Sequence, residues 1–168
     1  MEFSTRFINI IKPVDGKLFK GVNLGDSIQK AIESDGHKFY ESTDVVTFIR
    51  YYFKIDSTKE SEYKVVYYYD NNRMIEVISL VIEFEVGLSH SITIEEYDSL
   101  MSEFDDYLKA NYGEPNTETK NIKGNGKEIH NTWIINTEQP IQVSQIFYSK
   151  PEESIKKAMK LEFQYYYE

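Results

Sequence analysis

The sequence predicts an α+β fold, with helices packed on one face of an antiparallel sheet of about six strands. One stretch, 94–112, has apolar side chains at helical spacing between a capping box and a glycine. Several other stretches alternate apolar and polar side chains, which is the period of a strand with one buried face. The 168 residues fit a single domain, 1–168.

The N-terminal part predicts two short helices. The range Phe3–Lys12 has apolar side chains at helical spacing and stops at Pro13. A second helix follows Asp26 or Ser27, either of which can serve as its N-cap, and Gly36 is placed to end it.

Three strands follow in the first half of the chain. Residues 45–54 alternate between a clearly apolar face and a mixed one, and Tyr63–Tyr69 forms the next strand. Asp70–Arg73 predicts a turn, because its asparagines tolerate the left-handed backbone that a hairpin needs. Met74–Val86 returns as a long strand that is apolar on both faces at its middle, which favours a central position.

The second half repeats this order. Thr93 and Glu96 form a capping box at the start of the helix 94–112, and Gly113 ends it. The polar stretch 116–127 predicts a loop or hairpin tip. Three strands close the chain: Ile129–Asn136, Ile141–Tyr148 and Met159–Tyr167. The sequence thus suggests two helix-plus-three-strand units in tandem, 1–90 and 91–168.

Composition limits the classes of function. The formal net charge is -9, from 28 acidic and 19 basic residues, so nucleic acid is an unfavourable partner and a basic protein a favourable one. The chain has no cysteine, which excludes disulfides and thiolate sites. It shows no apolar stretch of membrane-spanning length and no signal-peptide pattern at its start, so we expect a cytoplasmic protein that does not bind a membrane.

No motif of catalytic or metal chemistry appears. His37, His90 and His130 lie far apart and lack metal-ligand spacing. No nucleophile elbow occurs, and the glycines around Lys123 lack the strand-to-helix context of a phosphate loop. We expect no enzyme, cofactor or metal, although a carboxylate pair within a pocket would restore the enzyme hypothesis.

Two surfaces are candidates for binding a partner. The polar side of the long helix carries Glu95, Asp98, Asp105 and Asp106, called the acidic flank below; the simplest alternative is a solvated helix face. The mixed face of the sheet carries Tyr52, Tyr68 and Tyr166 among charged residues; its alternative is an ordinary solvated sheet face.

Two short stretches carry a resemblance. The stretch 21–28 followed by a helix, together with 112–115, resembles the tandem helix-plus-sheet units of small bacterial inhibitor and outer-membrane-assembly lipoprotein families. The chain differs from those families in having no lipid-attachment cysteine and no disulfide. Its general composition, acidic, rich in tyrosine and free of cysteine, is similar to that of bacterial toxin-immunity proteins. Neither resemblance supplies site residues.

The leading hypothesis is therefore a non-enzymatic immunity protein that occludes a basic toxin or effector through an acidic, tyrosine-bearing surface. The alternative is a module that binds a small molecule or peptide in a curved-sheet groove lined by Tyr52, Tyr68 and Tyr166. A cavity of roughly 300–1,000 Å³ would favour the ligand-binding module, and a flat polar surface would favour the protein partner.

Overall fold

The computed structural model describes residues 19, 21–34, 40–42, 46–54, 60–86, 92–123, 126–135, 139–149 and 156–166. Within these ranges lie two helices, α1 (Ile28–Ser34) and α2 (Ile94–Tyr112). The strands are β1 (Tyr40–Ser42), β2 (Val46–Lys54), β3 (Glu60–Tyr69), β4 (Ile75–Glu85), β5 (Thr117–Lys123), β6 (Gly126–Ile135), β7 (Ile141–Ser149) and β8 (Lys156–Tyr165).

All eight strands form one sheet in the order β1-β2-β3-β4-β8-β7-β6-β5, and every neighbouring pair is antiparallel. Each helix is thus followed by a meander of four strands, and the last strands of the two meanders pair at the centre, where Leu80 lies opposite Leu161. The predicted α+β class with an antiparallel sheet is confirmed. The sheet has eight strands instead of about six, and each helix precedes four strands instead of three.

The two strands that the sequence did not indicate lie at the edges of the sheet. β1 has only three residues, too few to show an alternation. β5 occupies most of the polar stretch 116–127 that was predicted to be a loop or hairpin tip, and pairs with β6 from Thr117↔Thr132 to Lys123↔Gly126. β5 is polar except for Ile122, as an edge strand can be, and therefore has no apolar period.

The core lies on one face of the sheet. Alternate residues of the strands are buried there, including Val65, Leu80, Trp133, Val143 and Leu161. We call this the core face. The other face, called the open face, carries positions one residue out of step, such as Tyr68 and Val77.

α1 is short and joined closely to the sheet. The Lys30 amide donates to Ser27 Oγ at 3.3 Å, so Ser27, one of the two predicted caps, caps the helix. The preceding loop pairs with the start of β4, where the Gly25 amide donates to the Ile75 carbonyl at 2.8 Å. Gly25 has φ of 80°, and a Cβ there would lie 2.9 Å from the Tyr165 hydroxyl, so both backbone and space require glycine.

α2 begins and ends as predicted. Thr93 Oγ1 accepts from the Glu96 amide, and Glu96 Oε2 accepts from the Thr93 amide, which completes the capping box. The helix contacts the core face at both ends. The rings of Tyr97 and Phe84 meet edge to face at a centroid distance of 5.6 Å. At the other end, Trp133 Nε1 donates to the Gly113 carbonyl at 2.8 Å.

The predicted turn after β3 is present: Asp70 Oδ1 accepts from the Asn72 and Met74 amides, and Arg73 takes the positive φ of 63°. The predicted helix Phe3–Lys12 lies outside the described residues, as do Gly36, His37 and His90. None of the helices in the described ranges has the length and apolar character needed to cross a membrane.

Candidate functional site

α2 concentrates negative charge. It carries six acidic residues against one lysine, Lys109. Glu95, Asp98 and Asp106 are exposed, and none of them forms a salt bridge with another described residue. At 3.6 residues per turn these three fall within an arc of roughly 80° on the helix surface. They form a continuous negative strip along the helix.

Asp105, the fourth member of the acidic flank, differs from the other three. It is half-buried, lies 2.9 Å from Lys109 Nζ, and accepts a long hydrogen bond from Asn131 Nδ2 at 3.5 Å. The hydrogen bond and charge of Asp105 raise the pKa of Lys109 above its usual range. Because Lys109 neutralises its charge, Asp105 adds little to the negative strip. Its hydrogen bond with Asn131 links α2 to β6.

A cavity of about 440 Å³ opens between α2 and the outer strands of the second meander. One wall is the side of α2 that faces these strands, with lining residues Tyr97, Asp98, Met101, Ser102, Asp105 and Lys109. The opposite wall and floor come from the core face of the sheet, with lining residues Glu118, Lys120, Ile129, Asn131, Phe147 and Lys157. We call this space the α2 cavity.

Two amides are buried at the base of this region. Asn131 is 4% exposed and Gln145 fully buried, and Asn131 Nδ2 donates to Gln145 Oε1 at 3.2 Å. Asn131 Oδ1 and Gln145 Nε2 find no hydrogen-bond partner among the described residues. An unsatisfied buried polar atom costs about 1–3 kcal/mol, so this amide pair lowers the stability of the core face.

Glu118 and Tyr97, which line the cavity, have shifted pKa values. The hydrogen bond and charge of Lys120 lower the pKa of Glu118, which keeps this carboxylate ionised. Burial, with a smaller contribution from the charge of Asp98, raises the pKa of Tyr97 far above its usual range and keeps the phenol neutral. A general acid would need a carboxyl whose pKa is raised, and that of Glu118 moves the other way.

The tyrosines lie on the open face by their register. Tyr68 pairs with Val77, which in turn pairs with Gln164, and Tyr68 is 41% exposed. A shallow depression of about 330 Å³ lies nearby, lined by Glu76, Val77, Gln142, Gln164, Tyr165 and Tyr166. Tyr52 pairs with Glu62, six residues along β3 from Tyr68, or about 20 Å. Tyr52 therefore occupies the far end of the same face, and its side chain lies outside the described part.

The acidic flank and the tyrosines are on opposite sides of the sheet. α2 contacts Phe84 and Trp133 on the core face, whereas Tyr68 and the depression lined by Tyr166 belong to the open face. A single partner surface that combines both groups is incompatible with this arrangement. The strands separate them because side chains alternate between the two faces.

Sequence reasoning missed the cavity residues of the sheet. Asn131 and Gln145 come together through the pairing of β6 with β7, and Lys120 and Glu118 through the unpredicted strand β5. One signal was visible: a polar side chain at position 131, in step with the apolar positions 129 and 133 of the same strand. A polar residue on a core face usually has a specific partner.

No group of histidine and carboxylate side chains with a metal-site arrangement occurs within the described ranges. No protein-family model matches the chain, and neither the curated proteins nor the solved structures contain one with significant similarity to it.

Proposed function

We propose that this chain is a non-enzymatic binding protein of the toxin-immunity type, which occludes a basic protein through the acidic strip of α2. The observation that supports it most is the exposure of Glu95, Asp98 and Asp106 on a helix with six acidic residues and one lysine. Such a strip attracts a basic surface and accelerates encounter, because unpaired charges of one sign act over several ångströms in water.

The rigidity of α2 supports the proposal. The capping box fixes its start, and the Trp133 hydrogen bond to the Gly113 carbonyl holds its end against β6. Its apolar side packs into the core through Leu100, Phe104 and Leu108. A docking surface that is ordered before binding loses little entropy when the partner arrives.

The test is affinity capture from the native host with charge-reversed variants. The variant Glu95→Lys/Asp98→Lys/Asp106→Lys should lose a basic partner that the original protein retains, because three attractions become repulsions. The matched control is Glu33→Lys/Glu76→Lys/Glu128→Lys, which reverses three exposed carboxylates outside α2 and raises the net charge by the same amount. Retention by the control and loss from the α2 variant supports the proposal. Equal loss from both, or capture of no basic protein by the original chain, contradicts it.

A second candidate function rests on the open face. The depression beside Tyr166 is lined by two glutamines, Gln142 and Gln164, whose amides can pair with the backbone of a bound peptide. This favours a peptide-binding module that uses only one end of the open face. Loss of partner capture through Gln142→Ala and Tyr166→Ala, with the α2 variant unaffected, would support it over the first proposal.

We also propose that the chain is built from two tandem units, α1 with β1–β4 and α2 with β5–β8, whose helices cover the same face. The strand order supports this, since the two meanders meet at β4 and β8. Burial supports it too, because Ile28 and Ala31 of α1 belong to the same buried cluster as Leu80 and Phe104. One unit would then present the negative strip, and the other would complete the shared core.

A further inference from the structure

The described lining of the α2 cavity is electrically balanced, in contrast to the helix beside it. The described lining residues include three carboxylates, Asp98, Asp105 and Glu118, and three ammonium groups, Lys109, Lys120 and Lys157. The volume of about 440 Å³ falls within the range of small-molecule sites. A basic macromolecule would gain no net attraction from these walls, so the cavity calls for a different occupant, with Asp98 shared between its wall and the negative strip.

Four of the six charges neutralise one another. Lys109 Nζ lies 2.9 Å from Asp105, and Lys120 Nζ lies 2.6 Å from Glu118. Asp98 and Lys157 form no salt bridge within the described part of the chain. Among its described lining residues, the cavity therefore offers one available negative group and one available positive group.

The positive group lies over an aromatic ring, and the negative group is next to that ring's residue in α2. The Lys157 ammonium lies 4.8 Å from the centroid of the Tyr97 ring, and Asp98 follows Tyr97 directly in α2. The Asp98 charge is close enough to contribute to the raised pKa of the Tyr97 phenol. A positive and a negative charge held near one ring match a molecule that carries both a carboxylate and an ammonium group.

The middle of the cavity is apolar. Met101 on α2 and Ile129 and Phe147 on the sheet line it and are only partly buried. Covering them with an apolar group would remove hydrocarbon surface from water. Ile129 and Phe147 are direct neighbours across β6 and β7, so they form a continuous floor.

Asn131 marks the far end of the cavity. It lines the cavity and lies beside Asp105, which is seven residues, or about 10 Å, along α2 from Asp98. Its Nδ2 is directed at Gln145 and Asp105, and its Oδ1 is buried and has almost no surface that an occupant of the cavity could reach. The apolar floor therefore lies between the charged groups near Asp98 and this buried amide.

We propose that the α2 cavity binds a zwitterionic amino acid with a large apolar side chain. Its ammonium group pairs with Asp98, its carboxylate pairs with Lys157, and its side chain covers Ile129 and Phe147. The proposal concerns a small molecule and does not depend on the basic protein partner.

Four probes test these contacts by isothermal titration calorimetry on the unmodified protein. L-Tryptophan has all the required groups, tryptamine lacks the carboxylate, 3-indolepropionate lacks the ammonium and L-alanine lacks the large apolar side chain. We expect tryptophan to bind, and each of the other three probes to bind at least about tenfold more weakly. No saturable binding of tryptophan up to about 5 mM, or equal binding of all four probes, overturns the proposal.

Two matched variants locate the site. Lys157→Gln removes the ammonium group that would bind the carboxylate of the amino acid on the core face. Lys160→Gln removes the same charge from the same strand, but on the open face, where Lys160 pairs with Glu162. Tryptophan should bind about tenfold more weakly to the first and unchanged to the second. Equal weakening by both variants, or none by either, overturns the assignment to this cavity. The probe series on the unmodified protein still decides the matter if a variant fails to fold.

Discussion

The two helices in the described part of the chain are used in opposite ways. α1 has seven residues, with Ile28 and Ala31 fully buried, and its loop is joined to β4 by backbone hydrogen bonds. α2 has nineteen residues, contacts the sheet at its two ends, and leaves a cavity beside it. The short helix completes the core, and the long one presents charge and encloses space.

This difference points to the surroundings of α2 as the part of the protein that is available for binding. α2 covers only part of the strands beside it. A polar side of the helix, which includes Asp98, and side chains of the sheet such as Phe147 therefore stay partly exposed at the cavity. Beside α1, the loop that precedes the helix lies against the sheet, with Gly25 close to the Tyr165 hydroxyl. If the comparison is right, changes near α1 should affect only stability, and changes along α2 should separate stability from binding.

The largest effect on stability is expected at the anchor of α2. Trp133→Ala should lower the free energy of unfolding by about 3–5 kcal/mol, because a buried indole and its hydrogen bond to the Gly113 carbonyl are lost. Trp133→Phe keeps most of the apolar volume and should cost about 1–2 kcal/mol. Urea denaturation of both variants measures this. Equal losses would mean that volume has no part in holding α2 to β6.

A smaller effect is expected at the loop before α1. Gly25→Ala should destabilise by about 2–4 kcal/mol, since it combines a left-handed backbone with a Cβ placed 2.9 Å from the Tyr165 hydroxyl. The control is Gly21→Ala, where φ is 78° but nothing lies within 4 Å, and only about 1–2 kcal/mol should be lost. Thermal and urea unfolding of the two variants give the difference. Identical losses of stability would show that the close approach to Tyr165 adds nothing to the cost of Gly25→Ala.

High pH should act through α2. Burial, with a smaller contribution from Tyr107, raises the pKa of Tyr112 to about 12, and the Tyr97 pKa is also raised by burial. Above about pH 10 these two phenols lose their protons in the unfolded chain and keep them in the folded chain. Their contribution to the free energy of unfolding is therefore constant below about pH 10 and falls as the pH rises above it. Each group contributes a slope of at most about 1.4 kcal/mol per pH unit.

Tyr112→Phe should reduce that slope, measured by urea denaturation between pH 9 and pH 12, and leave the unfolding free energy near pH 8 changed by less than about 1 kcal/mol. Tyr166→Phe is the matched control, because this tyrosine is exposed. A slope unchanged by Tyr112→Phe would show that its phenol titrates alike in the folded and unfolded chains.

The smallest effect is expected at the start of α2. Thr93→Ala should cost about 1 kcal/mol, since it removes the acceptor of the Glu96 amide, whereas Thr93→Ser retains that hydrogen bond and should cost less than about 0.5 kcal/mol. Circular dichroism during urea unfolding measures both. If alanine and serine behave alike, the capping box contributes nothing to the stability of α2.

Local features explain how much of this could be predicted from the sequence. α2 was located to the residue because the capping box and Gly113 mark its ends, β2 followed from alternation, and β4 followed from a long run that is apolar on both faces. β5 could not be found, because Ile122 is its one apolar residue and no alternation results. The α2 cavity depends on contacts such as Asn131 with Asp105, which are 26 residues apart and come together only through the pairing of strands.

The separation of acidic flank and tyrosines was also beyond sequence reasoning. The register of strand pairing decides on which face of the sheet each tyrosine falls. Packing decides which face α2 covers, through its contacts with Trp133 and Phe84. Both groups suit a binding surface in isolation. Only the fold shows that they cannot serve one partner surface together.

The central claim is that the negative strip of α2 meets a basic partner, and the rate of association of the captured partner at increasing ionic strength tests it most directly. With the original chain and the Glu33/Glu76/Glu128 control, the rate should be high at low salt and fall steeply as salt screens the attraction. With Glu95→Lys/Asp98→Lys/Asp106→Lys it should be slow and nearly independent of salt. The same fast, salt-sensitive association for all three proteins would contradict the account.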